Sequence, residues 1–475
     1  MRNPLFGRGG DIVFERRAPE PGVISHALEG TEHRVFWLDD ARDRTVYPTL
    51  SAWLDVDLAV VGGGYLGLWS AIKAKQRNPH ARVALLEGQT IGWAASGRNG
   101  GFVEASLTHG EVNGGNRWPK ELPTLNRLGL ENLAAMERSV AELGIDCEWE
   151  HNGSIDVALE EHQLGWLEPD QSGFLDRAAV QAEVHSPTYL GGRPYRDTAL
   201  VHPAKLAKEL ARVAASLGVE VFENSLVDEL YDENGAVTLT TARAGVRAAH
   251  VVLATNAFSP LLKRYRLYTV PVYDYVLMTE PLSAEQRASI GWQGRQGMAD
   301  LANQFHYYRL TADDRILFGG YDAIYHFGRD VHVSYEERDE TFRTLASHFF
   351  TTFPQLEGLQ FTHRWAGAID TSSQFCAFYG LDLGGRVATA AGFTGLGVGA
   401  THFAAEVLLD RLAGLTTERT ELEMVRRKPL PFPPEPFATA GIAATRWAMD
   451  RADHNHGRRN LLLKTLDAMG LGFDS

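Results

Sequence analysis

The chain has 475 residues, 44% of them hydrophobic and 22% charged, enough to build two or three packed units rather than one small domain. A formal net charge of −14 excludes a general nucleic-acid or membrane-surface binder, since either needs clustered positive charge. Cys147 and Cys376 match no metal or redox spacing and are expected as idle thiols of a reducing cytoplasm.

Met1 to Asp11 contains no apolar run of signal-peptide length and no window resembles a membrane span, so a cytoplasmic protein without a membrane partner is expected. Residues 1–51, with Pro4, Pro19, Pro21 and Pro48 and no sustained period, are expected as an extended N-terminal arm. Asp55 to Val61 then reads as a short apolar strand, glycines follow, and a helix runs from about Tyr65 until Asn78-Pro79 ends it. Arg82 to Leu86 is a second strand ending in Glu87, which completes a βαβ unit. Further along, Pro203 to Leu217 places Leu206, Leu210, Val213 and Leu217 on one helical face, with Gly218 as its C-cap. Strands are expected at Glu220–Phe222, Val237–Thr240 and Val251–Ala254. Residues 270–336 read as β-rich, with turn signals at Asp313-Asp314 and Gly319-Gly320. Val387 to Ala391 forms another strand, followed by a glycine loop and a helix at about Ala400–Ala413. Beyond Gly414, Pro429, Pro431, Pro433, Pro434 and Pro436 predict a stiff linker before short amphipathic stretches near Trp447 and Leu461–Leu466. Eight Lys/Arg against seven Asp/Glu from Glu421 to Ser475 remove any polybasic anchor, leaving packing onto the body or another subunit.

Gly62, Gly64 and Gly67 satisfy G-x-G-x-x-G between the strand and the helix. The first permits the tight turn, the second lets the backbone approach a pyrophosphate, and the third lets helix and strand pack closely. The phosphates then meet the free N–H groups at the positive end of the helix. Glu87, 23 residues past the middle glycine, can accept both ribose hydroxyls and would repel the 2′-phosphate of NADP. This motif does not separate FAD from NAD. The small-residue loop Gly92 to Gly101 directly after the unit suits a large flat ligand, and Ser96 and Arg98 can reach phosphate oxygens or flavin edges.

At these residues the chain resembles the FAD-dependent amino acid and amine oxidases of the D-amino acid oxidase superfamily, from about Asp55 to Gly414. The resemblance rests on the glycine triplet with Glu87, on Ala95 to Gly101, on His202-Pro203 opening a helix, on Val251 to Asn256, and on Gly392 to Val398 before a helix. Tyr307 to Asp313 and Arg315 to Gly320 resemble the gamma-glutamylputrescine oxidase-like branch. It implies an α/β fold: a glutathione-reductase-like Rossmann FAD-binding domain with an inserted β-sheet-based (α+β) substrate domain. The expected division is an arm at 1–51, an FAD domain from 52–103, 195–265 and 360–420, a substrate domain from 104–194 and 266–359, and a tail at 421–475. It also implies noncovalent FAD near Gly62, Gly64, Tyr65, Leu66, Gly67 and Glu87, with Ala95, Ser96, Arg98, Asn99, Gly100 and Gly101 beside it. Val227 would meet the adenine through its backbone, and Thr255 and Asn256 would lie near the cofactor. Gly392, Thr394, Gly395, Leu396 and Gly397 would bring N–H groups to the flavin N1/O2 edge, where a helix N-terminus stabilises the charge of the reduced ring. The alternative is a glycine loop that merely caps the helix.

Three departures from the family pattern bear on substrate and acceptor. Ile369 stands where alpha-amino-acid oxidases place the arginine that clamps the substrate carboxylate, so an ordinary alpha-amino acid would leave a buried charge unpaired. Leu317 stands where a lysine aids oxygen reduction in monomeric sarcosine oxidases, and Cys376 falls after the Trp365 segment, not before it, as a covalent flavin link would require. Strand alternation puts Tyr307 and Arg309 on one side and His306 and Tyr308 on the other. Tyr308, Arg309 and Asp370 are the expected substrate contacts: Tyr308 and Arg309 by family analogy, Asp370 for a distant ammonium, against the plainer reading of a solvated turn aspartate. Alternation forbids Tyr308 and Arg309 from both entering one pocket. Arg364 flanks the tryptophan segment, His306 reads as a satisfied polar residue, and the 17 histidines show no metal spacing, so no metal is expected. The expected reaction is oxidation of a small primary or secondary amine to an imine by hydride transfer, followed by hydrolysis to an aldehyde and ammonia or an amine. Oxygen or another acceptor takes the electrons, and the oligomeric state is left open. The rival readings are a flavin dehydrogenase of a hydroxy acid or polyol phosphate that feeds a quinone or carrier, and a non-enzymatic FAD protein.

Overall fold

The computed structural model describes residues 12–42, 45–233 and 235–472. The expectation for Met1 to Asp11 lies outside the described residues. β-Branched and other apolar residues dominate Leu54–Val61 and Val83–Leu86, and both strands enter an eight-stranded sheet. Leu54–Val61 pairs in parallel with Val83–Leu86 on one side and with Gly245–Leu253 on the other, so Val61 stands opposite both Leu86 and Leu253. Val219–Phe222 extends one edge in parallel, and Val387–Ala391 pairs in parallel with Gly245–Leu253. Period-two alternation divides the faces: Leu58 and Val60 join the core under the helices, whereas Ala59 and Val61 join a second core with Val237, Leu239 and Val246. Helices Tyr65–Arg77, Pro203–Ser216 and Gly397–Leu412 fill the first core with Trp69, Ile72, Leu206, Leu210 and Val407, all fully or almost fully buried.

A second sheet has ten strands, and its longest pairing is the antiparallel ladder of Thr269–Thr279 with Phe361–Ser372, near one edge. Next to it run Ile316–Gly320, His306–Leu310 and Gly297–Asp300. One face packs on helix Asp339–Thr352 through Tyr275, Tyr308, Phe318, Phe342 and Phe349. The opposite face looks toward the glycine-rich end of the first sheet.

Several expected boundaries differ from the structure. Residues 1–51 do not form an extended arm where they are described. Short helices Val13–Arg16, Pro21–Ala27 and Phe36–Asp40 lie on the body, and Glu32–His33 pairs in parallel with His363 and Arg364. Trp37 is fully buried and donates from Nε1 to Asn99 O at 3.0 Å. Pieces this short show no helical period and are held by tertiary contacts. Strand Phe361–Ser372, expected on the FAD side of a division at 360, pairs within the ten-stranded sheet. Within 104–194, helix Leu122–Glu142 sends Leu125, Leu133 and Met136 into the core of the eight-stranded sheet. Sheet pairing and burial, which no local pattern encodes, decide both cases. The proline-rich stretch runs along the surface, where Phe432 N donates to Leu267 O (2.7 Å) and Arg329 Nη2 to Pro433 O (2.6 Å). Helices Phe437–Asp453 and Leu461–Ala468 follow. Among the described residues no helix is long and apolar enough to cross a membrane.

Candidate functional site

Tight packing of strand against helix builds the first half of the site. A Cβ at Gly67 would sit 1.9 Å from Gly62 O, and one at Gly62, whose φ is +114°, would sit 2.4 Å from Ala254 O. Gly64 caps helix Tyr65–Arg77 without a side chain, so the first-turn N–H groups point outward for a ligand. One of them, Tyr65 N, donates to Ser96 Oγ at 3.0 Å. Glu87 ends its strand beside this loop and accepts from Gly63 N (2.7 Å), Gln89 N (2.8 Å) and Trp93 Nε1 (3.0 Å). Burial raises its pKa against the pull of these donors. Ser225 N donates to Glu87 O (2.8 Å), which brings Val227 to the same end of the sheet, with its backbone in register opposite Thr241. The cradle of close-packed glycines, an uncapped helix start and a terminal carboxylate fits an adenine dinucleotide.

The second half is the loop after that unit. Ala95–Gly97 forms a single 3₁₀ turn held by Asn99, whose Nδ2 donates to Ala95 O at 2.9 Å and whose Oδ1 accepts from Gly101 N at 2.8 Å. Arg98 donates from Nε to Trp93 O (2.8 Å) and from Nη1 to Ala366 O (3.1 Å), and pairs with Glu336 (2.6 Å). Across the cavity entry, the loop Gly392 to Leu396 leads into helix Gly397–Leu412, with Thr394 and Gly395 at φ +49° and +94°. His109, itself left-handed at φ 60°, faces this loop with Nε2 3.9 Å from where a Cβ on Gly395 would stand, and burial lowers its pKa to about 4. It therefore adds no charge there at neutral pH.

Between these loops and the ten-stranded sheet lies a cavity of about 950 Å³. Gly64, Tyr65, Leu66, Ala95, Ser96, Arg98, Asn99, Gly100, Gly101, Asn256, Thr394, Gly395, Leu396 and Gly397 line it, so most of the expected cofactor residues come together. Gly62, Gly67, Glu87, Val227, Thr255 and Gly392 are not on its wall. Gly62 and Gly67 set helix–strand packing, and Gly392 donates its N–H to Asp370.

The expected substrate contacts fare differently. Tyr308 faces away from the cavity: its hydroxyl bonds that of Tyr189 at 2.7 Å under a stack with Phe318, so it is a core residue. Arg309 shares the cavity-facing side of its strand but is 1% exposed and spent on backbone, donating from Nη1 to Val201 O (2.6 Å) and from Nε to Leu310 O (3.2 Å). It ties the strand to the segment before helix Pro203–Ser216 and is not a free substrate clamp. Asp370 is on the wall yet is no solvated turn residue: it is 2% exposed and accepts from Gly392 N at 2.5 Å. Burial raises its pKa to about 7 despite further backbone donors at Phe393 and Thr394. Ile369 lines the cavity where the arginine is missing, and Leu317 is packed in an apolar cluster with Trp365 and Met278. His306 is fully buried and satisfied by Asp300 (2.7 Å) and His348 (2.9 Å).

The sequence reading missed three acids. Tyr307, the alternate neighbour of Tyr308, faces the cavity and donates to Asp274, and a Cβ on Gly100 would lie 2.6 Å from the Tyr307 ring. Burial raises the Asp274 pKa to about 6, while the Tyr307 bond pulls it down. Glu104 and Asp156 also face the cavity, and burial with the Glu104 charge raises Asp156 to about 7. Glu104 is open to the cavity space, and desolvation by the surrounding walls raises its own pKa. None of the three has an ion-pair partner among the described residues. Their strands lie far apart in the chain, and only the alternation of Tyr307 pointed to any of them. Asp40, Glu148 and His202 cluster within metal-ligand reach, but Lys205 Nζ already sits among them, 3.2 Å from Asp40 and bonded to Glu148, so the chain supplies the cation.

Comparison with known proteins agrees with this geometry. The FAD dependent oxidoreductase family (DAO) matches residues 57–411. Gamma-glutamylputrescine oxidoreductase of Escherichia coli (strain K12) is 30% identical over 403 residues, covering 81% of this chain and 90% of that protein. The probable oxidoreductase OrdL of Haemophilus influenzae is 27% identical over 405 residues, covering 81% and 89%. Crystalline glycine oxidase from Geobacillus kaustophilus superposes with a TM-score of 0.63 at 20% identity, covering 77% of this chain and 96% of that one. The chain belongs to the FAD dependent oxidoreductase family, and FAD is its cofactor.

Proposed function

We propose that the enzyme oxidises a small primary or secondary amine at its C–N bond to an imine, which water hydrolyses to an aldehyde and ammonia or a smaller amine. One observation carries the reading: the cavity wall bears Glu104, Asp156 and Asp274 without cationic partners among the described residues, while its arginines are engaged. Arg98 pairs with Glu336 and Arg459 with Asp467 (2.6 Å each), and Arg446 lies 4.0 Å from Asp322. Such a wall attracts an ammonium and repels a hydroxy acid or an alpha-amino acid, for whose carboxylate Ile369 offers no donor. The relative that acts on gamma-glutamylputrescine supports the same class.

When bound, FAD supplies a two-electron acceptor for the hydride that leaves the carbon beside nitrogen. Gly64, Ser96 and the start of helix Tyr65–Arg77 would hold its phosphates, Glu87 its ribose, and Gly395 to Gly397 its ring edge. The reacting nitrogen must be neutral before hydride leaves. Asp274 Oδ2, steadied by the Tyr307 hydroxyl beside the Gly100 loop, is placed to accept that proton from the substrate ammonium. The Tyr307 phenol stays protonated, since burial and the Asp274 charge raise its pKa well above the ordinary value. Cys376 is buried and its thiol pKa is raised to about 12, which opposes a thiolate link and favours noncovalent FAD. Oxygen or another carrier then removes the electrons.

Anaerobic stopped-flow mixing of the holoenzyme with a substrate panel tests the proposal. Alkylamines, diamines and gamma-glutamylated amines are compared with 2-hydroxy acids and with alpha-amino acids, N-methylated glycines among them. Bleaching of the flavin by amines alone is expected. Bleaching by hydroxy acids or by alpha-amino acids in preference would overturn it.

A further inference from the structure

The family match ends at residue 411, yet the cavity's wall does not. The tail returns to it as helices Phe437–Asp453 and Leu461–Ala468, which bring Ile442, Met449, Leu462, Leu466 and Met469 onto the wall, with Leu430 from the stretch before them. Two are flexible methionines and four are leucine or isoleucine, and none offers a strong donor or acceptor.

Polar bonds hold the tail in place, so its apolar face is not simply a strand of chain fallen against the surface. Asp453 accepts from Asn303 N (2.9 Å) and Nδ2 (2.6 Å), and Ser373 Oγ donates to Leu430 O (2.6 Å). Tyr325 and Thr439 both donate to Glu435, and Arg117 Nη2 donates to Gly472 O (3.2 Å). The tail also puts Thr445, Arg446 and Arg459 on the wall, with Arg459 paired to Asp467 (2.6 Å) and Arg446 4.0 Å from Asp322. The apolar side chains gain their burial only when an apolar group occupies the space they surround. The same cavity carries Glu104, Asp156 and Asp274, so its wall is acidic in one part and apolar in another.

We propose that the C-terminal tail forms a subsite for an unbranched alkyl chain on the substrate amine, whose nitrogen the carboxylates hold. This deepens the amine reading and rests on it. The tail, which lies outside the matched family region, then selects among amines by chain length.

The test uses the full-length holoenzyme and linear amines from ethylamine to octylamine. Dissociation constants come from the saturation of flavin bleaching, or from perturbation of the flavin absorbance where no bleaching occurs. Affinity in the wild type is expected to rise about fourfold per added methylene over part of the series. The double variant Met449→Gln/Leu466→Gln is expected to flatten that rise to less than about twofold per methylene. Leu461→Gln, at a residue 82% exposed and off the wall, keeps the wild-type rise. FAD content and melting temperature are followed throughout. Should the double variant fail to fold, Ile442→Gln and Leu462→Gln read the same slope singly. An unchanged slope in the wall variants, or no slope in the wild type, overturns the subsite. Tighter binding with chain length but no bleaching by any amine would instead remove the amine-oxidation reading and leave the subsite standing.

Discussion

At the scale of single residues, neighbours on one strand have opposite duties. Tyr308→Phe takes away a buried hydroxyl and leaves that of Tyr189 without its 2.7 Å partner, a loss of about 1–2 kcal/mol in unfolding free energy by urea titration. The rate of flavin bleaching by a good amine should stay as in the wild type, because Tyr308 lies on the far face of the sheet. Tyr307→Phe should do the reverse: melting temperature near the wild-type value, with bleaching slowed about tenfold or more once Asp274 loses its donor. Asp156 gives a pH prediction with a definite sign. Its folded-state pKa of about 7 exceeds the ordinary value of 3.8, so the folded protein binds more protons between those limits. Its contribution to stability is whole below about pH 4 and is lost as pH rises toward 7. Asp156→Asn should therefore make the fall in the apoprotein's urea midpoint between pH 4 and pH 8 shallower. A slope equal to the wild type's would show that Asp156 does not titrate in that window.

Among the elements, the βαβ unit was legible because its residues are neighbours in sequence. Strand, glycine triplet, helix and terminal acid all fall within Asp55 to Glu87, and the helix expected from Tyr65 spans Tyr65–Arg77. Gly67→Ala should break it: the added methyl meets Gly62 O at 1.9 Å, so the helix must lift from the strand. Loss of about 2–3 kcal/mol and colourless protein after purification are expected. Glu87→Ala leaves Gly63 N and Trp93 Nε1 unpaired and removes the carboxylate proposed to hold the ribose, so the FAD dissociation constant should rise about tenfold to hundredfold, read by fluorescence titration. The acid wall was not legible in this way. Glu104, Asp156 and Asp274 sit on three strands that no local pattern relates, and only the sheet orders bring their side chains to one cavity. Alternation did mark Tyr307 and Tyr308 as facing opposite sides, but a period of two does not say which side holds the ligand.

Over the whole molecule, Arg309 is the clearest case of a residue whose type suggested chemistry and whose position made it a tie. It is fully enclosed, and burial lowers its pKa to about 10, so it stays charged at neutral pH while donating to Val201 O. Replacing it with Met strands that carbonyl and loosens strand His306–Leu310 from the segment before helix Pro203–Ser216. Arg309→Met should cost about 2–4 kcal/mol and release FAD, with both changes measured in one melting experiment that follows flavin fluorescence. A variant that melts like the wild type and keeps its flavin would remove this role. The N-terminal helices and the C-terminal tail lie at the same scale. The N-terminal helices are too short to announce their place and the tail's amphipathic pattern names no partner, so each is fixed by what it packs against: Trp37 beneath the Asn99 loop, and Asp453 on Asn303.

The sequence alone determined the cofactor class and the dinucleotide cradle, since backbone approach to a pyrophosphate demands glycines at fixed spacing, a helix start and an acid, all within one local stretch. It also determined that Ile369 offers the substrate no cation. The tertiary structure alone decided which side chains line the cavity. Strands Phe102–Glu104, Ser154–Ala158 and Thr269–Thr279 and the tail helices converge on one cavity through sheet register and core packing, and those are properties of contacts between segments distant in the chain.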